Sequence, residues 1–261
     1  MLKVVRKIVN SSLGLFGMEV RSKEDRTRAT MFESLRQAIK NGLSPQTVID
    51  VGAAHGTLPL YELFPEARFI LLEPLDEFSP ALREIVRGLK HAECLVAAAA
   101  RKPGKVILNV HPDLVGSSLY KEEEGAHVDG IERTVPAVTL NDVCAERETQ
   151  PPYLIKIDTQ GSELHVLDGA DRIMAETDFI IMEASLFGFF KGGPQILDTT
   201  RYMKERGFVV YDVFDLRYRP LDGAMAQVDL AFVQERCKFR ASHAYATRSQ
   251  REQMKRLLGA R

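Results

Sequence analysis

The sequence predicts an α/β fold: one mostly parallel, doubly wound sheet ending in an antiparallel strand pair, with a helical extension before it. Three observations carry this reading. Short apolar runs alternate with stretches of helical period from residue 47 to 206. Glycines and carboxylates collect where those runs stop, which in an open parallel sheet is the ligand-binding edge. A chain of 261 residues with 45% hydrophobic and 27% charged side chains can bury one large core.

The elements follow in order. Met31, Phe32, Leu35, Ala38 and Ile39 recur at helical spacing, so residues 28–41 form a helix that Gly42 and Pro45 end. "TVIDVG" (47–52) is a buried strand, and a short helix at 57–64 tolerates Pro59 in its first turn. "RFILLEP" (68–74) is a strand, 76–90 a helix, "ECLVAAAA" (93–100) a third strand and "GKVILNV" (104–110) an added one. Residues 111–133 are turn-rich and charged, and read as a mobile loop over a site. "RTVPAVTLND" (133–142) is a strand running into a short helix. "YLIKID" (153–158) is a strand with a helix after Ser162, and "DFIIMEAS" (178–185) is the next strand. A helix at 194–206 precedes "GFVVYDVFD" (207–215) and "QVDLAFVQ" (227–234), the antiparallel pair. The chain thus divides into a helical extension (1–44), one cofactor-binding domain (45–235) and a basic tail or helix (236–261).

The charge is uneven. The chain carries a net −1, but residues 1–30 carry +4 and residues 236–261 carry +7, which leaves −12 between them. A near-neutral total gives no argument for a nucleic-acid partner. The basic ends read as solvated, with contact to an anionic partner, such as a nucleotide-linked substrate or a membrane surface, as the sharper alternative. Cys94, Cys144 and Cys237 form no CxxC pair, so reduced thiols in a cytoplasmic protein fit best. No apolar run reaches the roughly 18 residues of a membrane span. Leu2, Val5, Ile8 and Val9 share one face of an amphipathic N-terminal helix that packs on the body or on a second subunit of a homodimer, with an interfacial anchor as the alternative.

"VIDVGAAHG" places Asp50, Gly52, Ala53, His55 and Gly56 at the end of the first strand. The spacing is GxxxG, unlike the GxGxxG of dinucleotide sites. It suits a ligand with an amino-acid moiety and a ribose, such as S-adenosylmethionine. Glu73, before Pro74 at the end of the second strand, can accept hydrogen bonds from both ribose hydroxyls. Adenine would then lie near Ala97 and Ala98.

"LIKIDTQGSELHVLDGA" (154–170) ends a buried strand on Asp158 and places Gln160, Gly161 and Glu163 within five residues. With "VIDVGAAHG", "LLEP", "GSSL", "DFIIMEAS" and "DGAMAQVDLAFV", it resembles the FkbM-type methyltransferases over roughly residues 45–235. The sequence departs from that pattern at His55, at Ala99 to Arg101 and at Asn141. The resemblance implies a class I, Rossmann-like methyltransferase domain and S-adenosylmethionine-dependent O-methylation of a sugar, glycan or related natural product. On that reading Asp158, Glu183 and Glu163 are the catalytic candidates, with Asp158 also near the cofactor. Ser117, Ser118 and Gln160 are candidate substrate contacts. By analogy with catechol O-methyltransferases, Asp158 and Glu183 could hold Mg2+. A metal-free route uses Asp158, Glu163 or His165 as base. Tyr211, Asp212, Tyr218 and Arg219 could shape the acceptor pocket. The alternative is a non-catalytic cofactor-binding or interaction module on the same fold.

Overall fold

The computed structural model describes Val9 and residues 28–259. The chain enters with α1 (Met31–Lys40). Thr30 caps it, its side chain accepting from the Glu33 amide, while the Glu33 carboxylate accepts from the Ala29 amide. Next come β1 (Thr47–Val51), α2 (Leu58–Leu63), β2 (Arg68–Leu72), a 3-10 turn (Asp76–Phe78) and α3 (Ser79–Gly88). Then follow β3 (Ala92–Leu95), β4 (Ala98–Ala99), β5 (Gly104–Val110), α4 (Ala126–Asp129), β6 (Ile131–Val138) and α5 (Leu140–Glu146). The second half holds β7 (Tyr153–Ile157), α6 (Glu163–Asp168), α7 (Asp171–Met174), β8 (Thr177–Ser185), α8 (Ile196–Glu205), β9 (Phe208–Tyr218) and β10 (Met225–Gln234). A 3-10 turn (Lys238–Arg240) and α9 (Arg248–Gly259) complete it. Of the expected N-terminal amphipathic helix, only Val9 lies within the described residues.

Seven strands form one sheet in the order β3-β2-β1-β7-β8-β10-β9. The first five pair in parallel, and β10 runs antiparallel between β8 and β9. The expected antiparallel pair is present, with β10 inserted between the parallel core and the edge. The central strands β1 and β7 are buried along their whole length and are mostly apolar on both faces, interrupted by Asp50 and Lys156. Leu35, Leu60, Phe69, Phe179 and Phe214 fill the core on one face of the sheet. Ile49, Ile70, Val166, Met182 and Phe232 fill the other.

One expectation changes. "ECLVAAAA" is not a single strand: it breaks at Val96–Ala97, and β4 joins a second, three-stranded sheet in the order β4-β6-β5. Alanines supply no bulk to hold a strand in register against a helix layer, so the chain can leave the main sheet here. The break places Ala97 and Ala98 beside the carboxyl ends of β1 and β2.

The segment at 111–133 is built rather than open. Asn109 and Ser118 form an isolated antiparallel bridge, as do Glu122 and Phe190. Residues proposed for the acceptor pocket serve the fold instead. Asp212 pairs with Arg28 at 2.9 Å and accepts from Ser34 at 2.8 Å, and the Tyr211 hydroxyl accepts from Asn41. Both therefore hold α1 against β9. Arg219 pairs with Asp222 at 2.6 Å, and Tyr218 is exposed. Asn141 caps α7, accepting from the amides of Arg172 and Ile173.

Candidate active site

The loop after β1 turns through Gly52 at φ +68° and Gly56 at φ +91°. A Cβ on Gly52 would lie 1.8 Å from the backbone oxygen of Asp158, so only glycine fits between β1 and β7 here. Beneath the loop, Asp50 is fully buried. It accepts from Thr57 Oγ1 at 3.1 Å and from the Tyr61 hydroxyl. Lys156 Nζ donates to the Gly52 carbonyl at 3.0 Å, and stands 3.4 Å from Asp50 Oδ1 and 3.9 Å from Asp158 Oδ2. Burial alone would lower the Lys156 pKa, but the charges of Asp50 and Asp158 hold it above its ordinary value. Asp50 thus braces the loop from below. A mid-strand lysine in a buried apolar run was the sequence signal for this network.

Glu73 follows β2 directly. It is buried, accepting from the Ala54 amide at 3.0 Å through Oε2 and from the Leu75 amide at 3.0 Å through Oε1. Burial pushes its pKa up. Each oxygen keeps a lone pair for a ligand hydroxyl.

At the end of β7 the chain makes a tight turn. Gln160 takes φ +50° and its Nε2 donates to Asp158 Oδ1 at 2.8 Å. Gly161, at φ +95°, lies under the Phe190 ring, which a Cβ there would meet at 2.9 Å. Glu163 turns back beneath the turn, where its Oε1 accepts from the amides of Thr159 at 3.0 Å and Gly161 at 3.1 Å. Burial raises its pKa to about 6. Glu163 therefore shapes the turn, and Asp158 is the carboxylate left facing outward.

A cleft, partly open to solvent, runs along these strand ends. Of the residues proposed for the site, Gly52, Glu73, Pro74, Ala97, Ala98, Ser117, Asp158 and Gln160 line it. Asp50, Ala53, His55, Gly56, Ser118, Glu163 and Glu183 are not among its lining residues. His55 packs edge-on against Phe78. Ser118 is buried and donates to the Gln160 carbonyl, so its hydroxyl ties loop to turn. His165 stacks on Tyr120, outside the cleft. The sequence reading missed Phe78, Leu108, Leu114, Val115 and Leu119, which give the cleft its apolar wall.

A row of carboxylates continues from the cleft across the sheet. Ile157 pairs with Met182, so Asp158 and Glu183 stand side by side one step on, and Glu183 pairs with Asp229 of β10. Glu183 is already engaged. Arg217 Nη1 lies 2.6 Å from its Oε2, and Gln227 donates to Oε1. Burial still pushes its pKa up to about 8. This donor set does not fit the expected Mg2+: Arg217 covers Glu183, and Lys156 faces Asp158. Among the described residues no cluster of three or more His, Cys, Asp or Glu side chains could hold a metal ion.

The FkbM methyltransferase domain profile matches residues 50–210. The chain belongs to the FkbM methyltransferase family. The match takes in the glycine loop, Glu73, the β7 turn and Glu183. Among solved structures, the chain is similar to a methyltransferase FkbM from Methylobacillus flagellatus KT, with 18% identity and a TM-score of 0.47 over 71% of this chain and 43% of that one. It therefore spans less than half of that protein's length. It is also similar to an S-adenosylmethionine-dependent methyltransferase from Clostridium acetobutylicum, at 10% identity and TM-score 0.45 over 88% of this chain and 99% of that one. A third, magnesium protoporphyrin IX methyltransferase from Synechocystis PCC 6803, shares 8% identity at TM-score 0.44 over 89% and 96% of the two chains. No curated protein matches the sequence. Among the described residues, no helix is long and apolar enough to cross a membrane.

Proposed function

We propose that this FkbM-family chain is an S-adenosylmethionine-dependent O-methyltransferase acting on a hydroxyl of a sugar, glycan or related natural product. One observation carries the reading: a single cleft joins Glu73 at one strand end to Asp158 two strands away, past a glycine that brings the backbone close. The residues fit the cofactor. Glu73 is placed to accept from ribose hydroxyls, the Ala97–Ala99 edge and Phe78 offer an apolar wall for a base, and Gly52 opens the floor. S-adenosylmethionine, when bound, supplies a methyl group already activated on sulfur. The chain's own task is then to align the acceptor, exclude water and receive a proton. Asp158 can do the last. Gln160 fixes its Oδ1, and Oδ2 accepts no hydrogen bond within the described residues and can take the acceptor's hydroxyl proton. Leu108, Leu114, Val115 and Leu119 give the cleft an apolar wall that limits water beside the acceptor.

Calorimetric titration with S-adenosylhomocysteine tests the first half; no binding at millimolar ligand would sink it. Incubation with methyl-labelled cofactor and fractionated cell extract tests the second, through identification of the labelled product. Binding without any labelled product would favour a non-catalytic module.

A further inference from the structure

Lys156 stands on β7 directly opposite Asp50 of β1, with its side chain buried. Three groups converge on its Nζ: the Gly52 carbonyl at 3.0 Å, Asp50 Oδ1 at 3.4 Å and Asp158 Oδ2 at 3.9 Å. Bracing the strands does not by itself call for this cation. Asp50 already accepts from Thr57 Oγ1 through Oδ1 and from the Tyr61 hydroxyl through Oδ2. A buried ion pair replaced as a pair by apolar side chains is often no less stable.

What sets Lys156 apart is where its contacts lead. Gly52 and Asp158 both line the cleft, and Lys156 does not. Gly52 belongs to the loop after β1 and Asp158 to the turn after β7. One ammonium thus joins the two strand ends from beneath. Asp158 sits among like charges, since Glu163, Glu183 and Asp229 each interact with it electrostatically. Gln160 holds its Oδ1, and Oδ2 faces Lys156. The other cation nearby, Arg217, is committed to Glu183 at 2.6 Å. Among the described residues, Lys156 is the cation with an ion-pair contact to Asp158. Its charge opposes the repulsion from the three acids, and its bond to Gly52 fixes where that charge stands.

We propose that Lys156 is a positioning residue for methyl transfer: it holds the Asp158 carboxylate at a fixed offset from the glycine loop, so that proton acceptor and methyl donor are set against each other. It acts through Gly52 and Asp158 and touches neither substrate. This rests on the methyl-transfer reading above, in which Asp158 receives the acceptor's proton.

The assay uses methyl-labelled S-adenosylmethionine and the extract fraction that the unaltered protein labels. Lys156→Met keeps the length of the side chain and removes its charge and donors. At saturating cofactor and fraction, kcat should fall by about 10- to 100-fold, the cost of a misplaced reacting group. The KM for the fraction should stay within about threefold. A purely structural role would lower the Tm and leave the kcat of the folded protein in place. Added to Asp158→Asn, Lys156→Met should lower kcat by less than about threefold more, because the two act as a unit. An unchanged kcat in Lys156→Met overturns the proposal, as does an equal loss in the Asp158→Asn background. Where Asp158→Asn leaves no measurable turnover, Lys156→Arg decides: the restored cation should recover part of the kcat that Lys156→Met loses, and no recovery overturns the proposal. If Lys156→Met fails to bind S-adenosylhomocysteine, Asp50→Asn combined with Lys156→Met is compared with Asp50→Asn alone, with the same readings deciding. If the unaltered protein labels nothing, the methyl-transfer reading itself falls, and this proposal with it.

Discussion

Lys156 and Asp229 sit on one face of the sheet and have opposite energetics. Lys156 is buried but paired, bridging the Gly52 carbonyl and Asp50. Lys156→Met should cost about 3–5 kcal/mol, because it strands a buried Asp50 charge. Denaturant unfolding measures this, and adding Asp50→Asn should recover part of it. Asp229 is largely buried and makes no hydrogen bond among the described residues, and burial with the nearby Asp158 raises its pKa to about 7. The folded state thus holds the proton more tightly than the unfolded chain does. Stability from this group is highest at low pH and declines as pH rises from about 4 to about 7. Asp229→Asn removes that decline. It should be more stable than the unaltered protein at pH 8 by on the order of 2 kcal/mol, and no more stable at pH 4. Parallel pH profiles of thermal unfolding would show it; equal curves would place Asp229 in a solvated or paired setting.

Two turns carry the site, and both depend on glycine. Gly52→Ala adds a strained left-handed residue, about 1–2 kcal/mol by itself, and drives a Cβ into the Asp158 carbonyl. It should lose S-adenosylhomocysteine affinity by more than about tenfold, beyond what the fall in stability explains. Gly161→Ala should act differently, since its obstacle is the Phe190 ring, which can shift. The strands were legible in the sequence because β1, β7 and β8 are buried runs ended by carboxylates. The register of those ends follows from parallel pairing, so Gly52, Glu73 and Asp158 could be placed together. What could not be read was the division of labour among acids. Asp50, Glu163 and Glu183 look the same in sequence as Glu73 and Asp158. Only tertiary contacts show that the first three spend their oxygens on Tyr61, on the Thr159 and Gly161 amides, and on Arg217. The break at Val96–Ala97 was equally hidden, since four alanines carry no period.

At the scale of the whole molecule, a ligand that binds only the folded chain stabilises it by mass action. S-adenosylhomocysteine at a hundred times its Kd should add about 2.7 kcal/mol, a rise in Tm of several degrees for a domain of this size. Glu73→Ala should remove most of that rise, and it should also lower the Tm without ligand, because the Ala54 and Leu75 amides lose their acceptor. The Ser118 hydroxyl is bonded to the Gln160 carbonyl, and Phe190 lies on Gly161 while it bridges to Glu122. The 111–133 segment, the β7 turn and the loop after β8 are therefore one mechanical unit. Leu114 and Leu119 line the same cleft as Asp158, so a molecule held there also contacts the β7 turn. On the proposed methyl-transfer reading, this coupling predicts an order of events in which the cofactor enters first and the methylated product leaves first. Product-inhibition kinetics should then show S-adenosylhomocysteine competing with S-adenosylmethionine alone.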